Sequence, residues 1–312
     1  MKEMLKLLAK GMLPVIAAAG LVVGCAGMPT GGSTESGIAT PGAGASGDGT
    51  GGKQDQAVSA GAAESGQAAE EREGVPLLVR ESVYLPGGGL DEYTVYTYRE
   101  GNLVREERFT AGGGLLESTS YQYEEGLLKK KTLLRADGSV NAWHEYRYDE
   151  EGLLSADTLC SGTGGVRSRS VYRYDASGRR ERWSVYDDRE NLLGYTEYRY
   201  RDGKLARKNI HGADGGLERY SILEYDRQGR PAREVFHRAD GTVVRQVQFQ
   251  YFEDRLVAEV HTDGGGQLMW KLSYDYGEQE TVSRITYVGG DGEIREIIER
   301  SYRLYPAPPE GS

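Results

Sequence analysis

The sequence predicts an all-β fold: tandem antiparallel β-hairpin repeats of about 25 residues, joined into a long twisted, curled meander or β-strip. Three observations predict it. Tyrosines recur at a near-constant spacing, each lies in a stretch of strict aromatic–polar alternation, and each stretch is bounded by turn-forming residues.

The spacing comes first, because an internal repeat decides the architecture. The anchors are Tyr98, Tyr123, Tyr148, Tyr174, Tyr200, Tyr225, Tyr251, Tyr276 and Tyr302, with successive gaps of 25, 25, 26, 26, 25, 26, 25 and 26. Two residues before them stand Tyr96, Tyr121, Tyr146, Tyr172, Tyr198, Leu223, Phe249, Tyr274 and Arg300, and only the last is neither aromatic nor apolar. The residue between is always polar, from Thr97 and Gln122 through Arg147, Arg173 and Arg199 to Asp275 and Ser301. A period of two marks a half-buried strand. Turns follow the anchors, as in Glu124-Glu125-Gly126, Asp149-Glu150-Glu151-Gly152, Asp175-Ala176-Ser177-Gly178 and Asp202-Gly203. A second set, including Asp137-Gly138, Gly164-Gly165, Asp214-Gly215 and Asp240-Gly241, lies half a repeat further on. Such turns need the positive φ that glycine supplies. Two turns per repeat leave two strands, hence 16–18 in all.

A lone hairpin is marginal, so the repeats must lean on one another. Right-handed twist makes so long a sheet curl, and an open-sided coil is the expected result. A propeller, a two-sheet sandwich and a closed soluble barrel are the water-soluble rivals. A transmembrane barrel needs an apolar outward row on nearly every strand. One row here carries Arg147, Arg173, Arg199 and Glu224, and the other Thr119, Ser170 and Ser221, which argues against it.

Segments such as Tyr172-Arg173-Tyr174-Asp175-Ala176-Ser177-Gly178-Arg179 and Glu224-Tyr225-Asp226-Arg227-Gln228-Gly229-Arg230 resemble the YD repeat of Rhs-type and teneurin-type surface proteins. Tyr148-Asp149 with Gly152-Leu153, and Tyr200 with Gly203-Lys204-Leu205, are weaker copies. The resemblance covers about residues 84–305. It implies an antiparallel strip curling around a lumen, in extracellular proteins that contact carbohydrate or protein or that encase a toxin. The period here is longer than the usual low twenties, and no toxin or protease region follows.

Residues 1–24 read as a lipoprotein signal peptide: Lys2, Lys6 and Lys10 precede an apolar run from Leu13 to Val23, too short to span a bilayer. Val22-Val23-Gly24-Cys25 resembles the lipobox of bacterial lipoproteins, which implies cleavage before Cys25, its thioether lipidation, and acylation (palmitate) of the new N-terminus. Ala26 rather than Asp beyond it implies outer-membrane delivery. Residues 25–75 then form a tether: 13 of residues 26–75 are glycine, and too few side chains are large and apolar to offset ordering. Every aromatic residue follows, so the tyrosine-rich β-repeat domain is assigned to 76–305 and a disordered tail to 306–312.

Charge excludes nucleic acid as a partner. Without residues 1–24, which hold three lysines and one glutamate, 35 basic and 47 acidic residues remain, a formal net charge of −12. No basic block could neutralise a run of phosphates. The membrane is therefore engaged through the N-terminal lipid. With Cys25 lipidated, Cys160 has no intrachain partner and reads as a half-buried, inert thiol.

No catalytic constellation stands out: there is no Gly-x-Ser-x-Gly, no His-Glu-x-x-His and no phosphate-cradling glycine loop. His211, His237 and His261 are spaced 26 and 24, so they are expected at equivalent, solvent-facing places, with no acidic or thiol set to complete a metal shell. No cofactor is implied. Tyr146, Tyr148, Tyr172, Tyr174, Tyr198 and Tyr200, from three consecutive repeats, are the candidate ligand platform. If they line an open face they suit sugar rings or a protein partner; if the sheet closes on them they are core. The expected function is that of a lipid-anchored, non-enzymatic binding or scaffold protein of the cell envelope, presenting an extended β surface to a protein or glycan. A carbohydrate-binding module and a cell-wall glycan-processing enzyme are the alternatives.

Overall fold

The structure is a computed structural model that describes residues 74–277 and 280–305. The readings of the signal peptide, of Cys25, of nearly all of the tether and of the tail lie outside the described residues.

The described chain is all β. Nine hairpins follow in order: β1 (Val75–Tyr84) and β2 (Leu90–Arg99), β3 (Asn102–Thr110) and β4 (Leu115–Glu124), β5 (Leu127–Arg135) and β6 (Val140–Tyr148). The chain continues with β7 (Leu154–Ser161) and β8 (Val166–Tyr174), β9 (Arg180–Asp187) and β10 (Leu192–Arg201), β11 (Lys204–Gly212) and β12 (Leu217–Tyr225). It ends with β13 (Pro231–Arg238) and β14 (Val243–Phe252), β15 (Arg255–Asp263) and β16 (Leu268–Tyr276), β17 (Val282–Gly289) and β18 (Ile294–Tyr305). Each strand pairs antiparallel with the next.

The expected open strip is overturned at its ends. β18 also pairs with β1, from Val75↔Tyr305 to Tyr84↔Ile297, so the sheet is a closed 18-stranded antiparallel barrel. Twist accumulates over the strands until the last meets the first, and their pairing removes both exposed edges. Arg300, the one exception to the aromatic–apolar row, marks the junction. Its Nε donates to Glu81 Oε2 at 2.8 Å, joining residues 219 apart in sequence.

The motif resolves into separate physical duties. Each odd strand carries an extra residue opposite an anchor: Gln122 faces Lys130 but Tyr123 faces Leu128, leaving Lys129 bulged. A bulge frees a backbone carbonyl. The anchor of the next repeat seals it, as the Tyr148 hydroxyl donates to the Leu128 carbonyl at 2.8 Å. Seven of the nine anchors make this bond, always to the residue 20 positions earlier. Tyr98 seals the bulge that lies opposite Tyr302, so the series crosses the closure.

The aspartate of the motif holds the turn. Asp175 Oδ1 accepts the amides of Ser177 and Arg179 at 2.9 and 3.0 Å, while Gly178 takes φ +71. The hydrogen bond from Arg179 is the first reason the Asp175 carboxyl titrates below its ordinary range. The Arg179 guanidinium, bonded to Asp175 at 2.8 Å, then lies 4.8 Å from the ring centre of Tyr200 in the next repeat. Asp226, Gly229, Arg230 and Tyr251 repeat the arrangement.

Candidate functional site: the inner wall of the barrel

Pairing register sorts the side chains onto two faces. The anchors and the row two residues before them share one, and among the described residues it holds 11 of the 14 buried hydrophobic residues. Side chains two strands apart meet on it. Lys208 of β11 reaches Glu234 of β13 at 2.7 Å, and the rings of Tyr98 and Tyr305 approach to 5.9 Å across β1. Such convergence belongs to the concave side, so this is the inner face. For a circular section, 18 strands at about 4.8 Å and roughly 40° of tilt give a backbone diameter of roughly 35 Å. Backbone contacts join only ring neighbours, and inward residues such as Tyr146 and Tyr172 keep partial exposure to water, so the wall encloses a lumen.

The six candidate platform tyrosines lie together on this wall: Tyr146 and Tyr148 on β6, Tyr172 and Tyr174 on β8, Tyr198 and Tyr200 on β10. Tyr198 is buried and the others are half-buried. Tyr148, Tyr174 and Tyr200 use their hydroxyls as bulge seals. Cations cover several rings: Arg180 lies 4.8 Å from the centre of Tyr172 and 5.9 Å from that of Tyr198, and Lys129 lies 5.4 Å from Tyr148. Burial, then the nearby Asp157, raises the phenol pKa of Tyr146 and of Tyr172.

A second feature of the wall escaped sequence reasoning. The bulge puts residues three apart on the same face, so the position three after each residue that faces an anchor points inward. Around the barrel this position holds Glu81, Glu106, Lys131, Asp157, Trp183, Lys208, Glu234, Glu259 and Ile285. Seven of the nine are ionisable. Each directly faces the row noted above, as in Tyr96↔Glu106, Tyr121↔Lys131, Tyr146↔Asp157, Tyr198↔Lys208, Phe249↔Glu259 and Arg300↔Glu81. Phenols and charges therefore form one belt at one level. The signal was present as a 25–26-residue recurrence of charge, but each bulge displaces it from simple alternation.

The belt is hydrogen-bonded. Tyr121 donates to Glu106 at 2.7 Å and Tyr274 to Glu259 at 2.8 Å. His144 Nδ1 lies 2.8 Å from Asp157. Glu234 accepts from Ser221 at 2.6 Å and pairs with Lys208, both members of that pair being nearly excluded from water. Burial pushes the Glu81 carboxyl up, against the opposing pull of Arg300.

The histidines divide. His211 and His237 lie on the outer face, stacked on Tyr195 and Tyr220 with ring centres 4.5 Å apart in each case. His261 is not equivalent to them. The 24-residue gap falls one short of the register position, which Thr262 occupies opposite Gln246, and one residue reverses the face. His261 therefore points inward, stacked on Trp270, and burial lowers its pKa. Cys160 is buried rather than half-buried, and burial pushes its thiol up.

No protein-family model and no curated protein matches this sequence. Among solved structures, a porin-like protein from Bacteroides uniformis is similar at 11% identity and a TM-score of 0.36, over 72% of this chain and 98% of that one. A porin-like protein from Bacteroides vulgatus gives 12%, 0.33, 71% and 97%. The Photorhabdus luminescens Tc holotoxin pore gives 11% and 0.19, over 75% of this chain and 19% of that one. Scores this low leave fold and function to this chain's own geometry.

Proposed function

We propose that the chain is a non-catalytic binding or scaffold protein of the cell envelope, held by lipid at Cys25, whose barrel engages a glycan or protein partner through the belt of its inner wall. The observation that carries the reading is the belt itself. A wall that needed only packing would place apolar residues at this level, as Trp183 and Ile285 do in two of the nine repeats. Ion pairs withdrawn from water contribute little net stability and are often matched or exceeded by apolar substitutes. Ionisable side chains at this level in seven of the nine repeats favour recognition, in which carboxylates accept from hydroxyls or amides and phenols supply flat, partly apolar surface.

The outer face supports a water-facing barrel rather than a membrane-embedded one. Arg147, Arg173, Arg199 and Glu224 are exposed on it, where a spanning barrel needs an apolar band. Closure leaves no sheet edge for strand addition, so a partner must use a face of the wall or the turns at its rims.

The test is retention of envelope glycans and of envelope polypeptides by the intact protein, compared with E106Q, D157N and E259Q variants that keep their strand content by circular dichroism. At least tenfold weaker retention in the variants supports the reading. Equal retention, or hydrolysis of a glycan that one of these variants abolishes, overturns it. Separately, C25S should abolish palmitate labelling and release the protein from membranes; an unlabelled parent chain contradicts the anchor.

A further inference from the structure

The outer face carries a recurring three-part stack. Arg182 on β9 sits 3.5 Å from the ring centre of Tyr195 on β10, whose other face meets His211 on β11 at 4.5 Å. One repeat on, Arg207 sits 3.8 Å from Tyr220, backed by His237 at 4.5 Å. Arg80, Tyr93 and Phe109 build a third copy, at 3.8 and 5.1 Å. Each phenol reaches over the positive-φ glycine of the next turn: the space a Cβ would take at Gly215, Gly241 and Gly113 lies 3.8, 3.8 and 3.9 Å from a tyrosine hydroxyl.

Register identifies the next place in the series. Arg207 pairs with Ile222 and Tyr220 with His237; correspondingly, Arg233 pairs with Gln248 and Gln246 with Thr262. The cation is kept, but Gln246 stands where the ring belongs and Thr262 where the imidazole belongs. Space has opened there. A cavity of about 260 Å³ is lined by Arg233, Gln246, Gln248, Val260 and Thr262, and nothing lies within 4 Å of a Cβ built on Gly266, the matching turn glycine. Loss of the ring alone does not open such a site: Ser118 also stands at a ring position and is only 4% exposed.

We infer that this cavity is a binding site for a neutral phenol, the tyrosine side chain of a partner polypeptide. The occupant is named by the chain itself, which seats its own tyrosine in the three intact copies. A planar ring would stack on the Arg233 guanidinium, as Tyr220 does on Arg207. Arg233 is held in the wall by Gln246 Oε1 and, at 3.9 Å, by Glu224, which offsets its charge and removes the preference for an anion. Gln248 and Thr262 add polar side chains to the lining, and Val260 supplies an apolar surface. This inference does not rest on the reading of the lumen, since the two sites lie on opposite faces of the wall.

The probe is N-acetyl-tyrosinamide, titrated into the isotope-labelled protein while the side-chain resonances of Arg233, Gln246 and Gln248 are followed. Saturable shifts are expected with a Kd on the order of 1 mM, as befits a single ring; N-acetyl-alaninamide should give none. Q246Y rebuilds the stack from within, so it should weaken binding at least tenfold and raise the melting temperature. R233K keeps the charge, loses the planar stacking surface, and should weaken binding without loss of fold. The inference is overturned by absence of saturable shifts up to the solubility limit, by undiminished binding in both variants, or by tighter binding of a methyl glycoside than of the phenol.

Discussion

Tyr148 and Tyr220 show how differently the two faces of one wall use the same residue. On the inner face, Tyr148 acts through its hydroxyl, which seals a bulge carbonyl 20 residues earlier in the chain. On the outer face, Tyr220 acts through its ring, held between Arg207 and His237. The inner wall is a hydrogen-bonded lattice in which removing one polar atom strands another. The outer wall is a set of stacks in contact with water, where each member is replaceable at small cost. Recognition by the inner wall therefore comes with fixed geometry, whereas the outer wall can lose a ring and keep the fold, as it does at Gln246.

The sharpest way to break this contrast is K208M. It leaves Glu234 charged, unpaired and withdrawn from water, and should cost about 3–5 kcal/mol in urea unfolding. The double variant K208M/E234L should recover most of that. A loss below 1 kcal/mol for the single variant would mean the inner wall is wetter than described.

Alkali comes next. Burial, then Glu106, holds the Tyr98 phenol at a pKa of about 12, above its ordinary value of 10.0. A folded-state pKa that is raised contributes stability fully below pH 10, and loses it as pH climbs through about 12. The ultraviolet signal of phenolate should therefore appear together with loss of strand structure over that interval. An anchor phenol such as Tyr98, followed by its own ring resonance, that ionises at its ordinary pH in a still-folded barrel would contradict the inner placement. At the acid side, His261 has a lowered pKa, so its contribution is present above about 6.5 and declines as pH falls below that.

Y148F should cost about 0.5–1.5 kcal/mol, the net worth of one hydrogen bond to a half-buried carbonyl. Y220F keeps the stack and should stay within about 0.5 kcal/mol of the parent. Equal costs for the pair would erase the distinction between the faces. D175A should lower the urea-unfolding midpoint by less than Y148F does, because water can replace part of an exposed turn cap.

The local order of the fold was legible because its causes are local. Alternation around each anchor gives the strands, and Asp175 and Gly178 give a turn whose conformation they impose. Closure was not legible in the same way, since it depends on twist summed over the whole sheet. Its trace was nonetheless in the sequence: Arg300 broke the aromatic row because its partner is Glu81, at the other end of the repeat array. The platform tyrosines share one face through plain alternation on β6, β8 and β10, yet the belt beside them was hidden. A bulge shifts parity within each odd strand, so Leu205 and Lys208 share a face although they stand three positions apart. The same arithmetic misplaced His261.

Closure of β18 on β1 is the claim on which the lumen and the belt depend. The direct measurement is disulfide formation in S82C/E299C, made in a chain whose Cys25 and Cys160 are serine. These two positions are register partners at the junction, and paired strands hold Cα atoms within about 4.5–5.5 Å, inside disulfide range. A barrel yields a monomer that oxidises within the chain, migrates as a closed loop without reductant, and melts at a higher temperature than its reduced form. An open strip yields free thiols or cross-linked dimers, and that result would contradict the account.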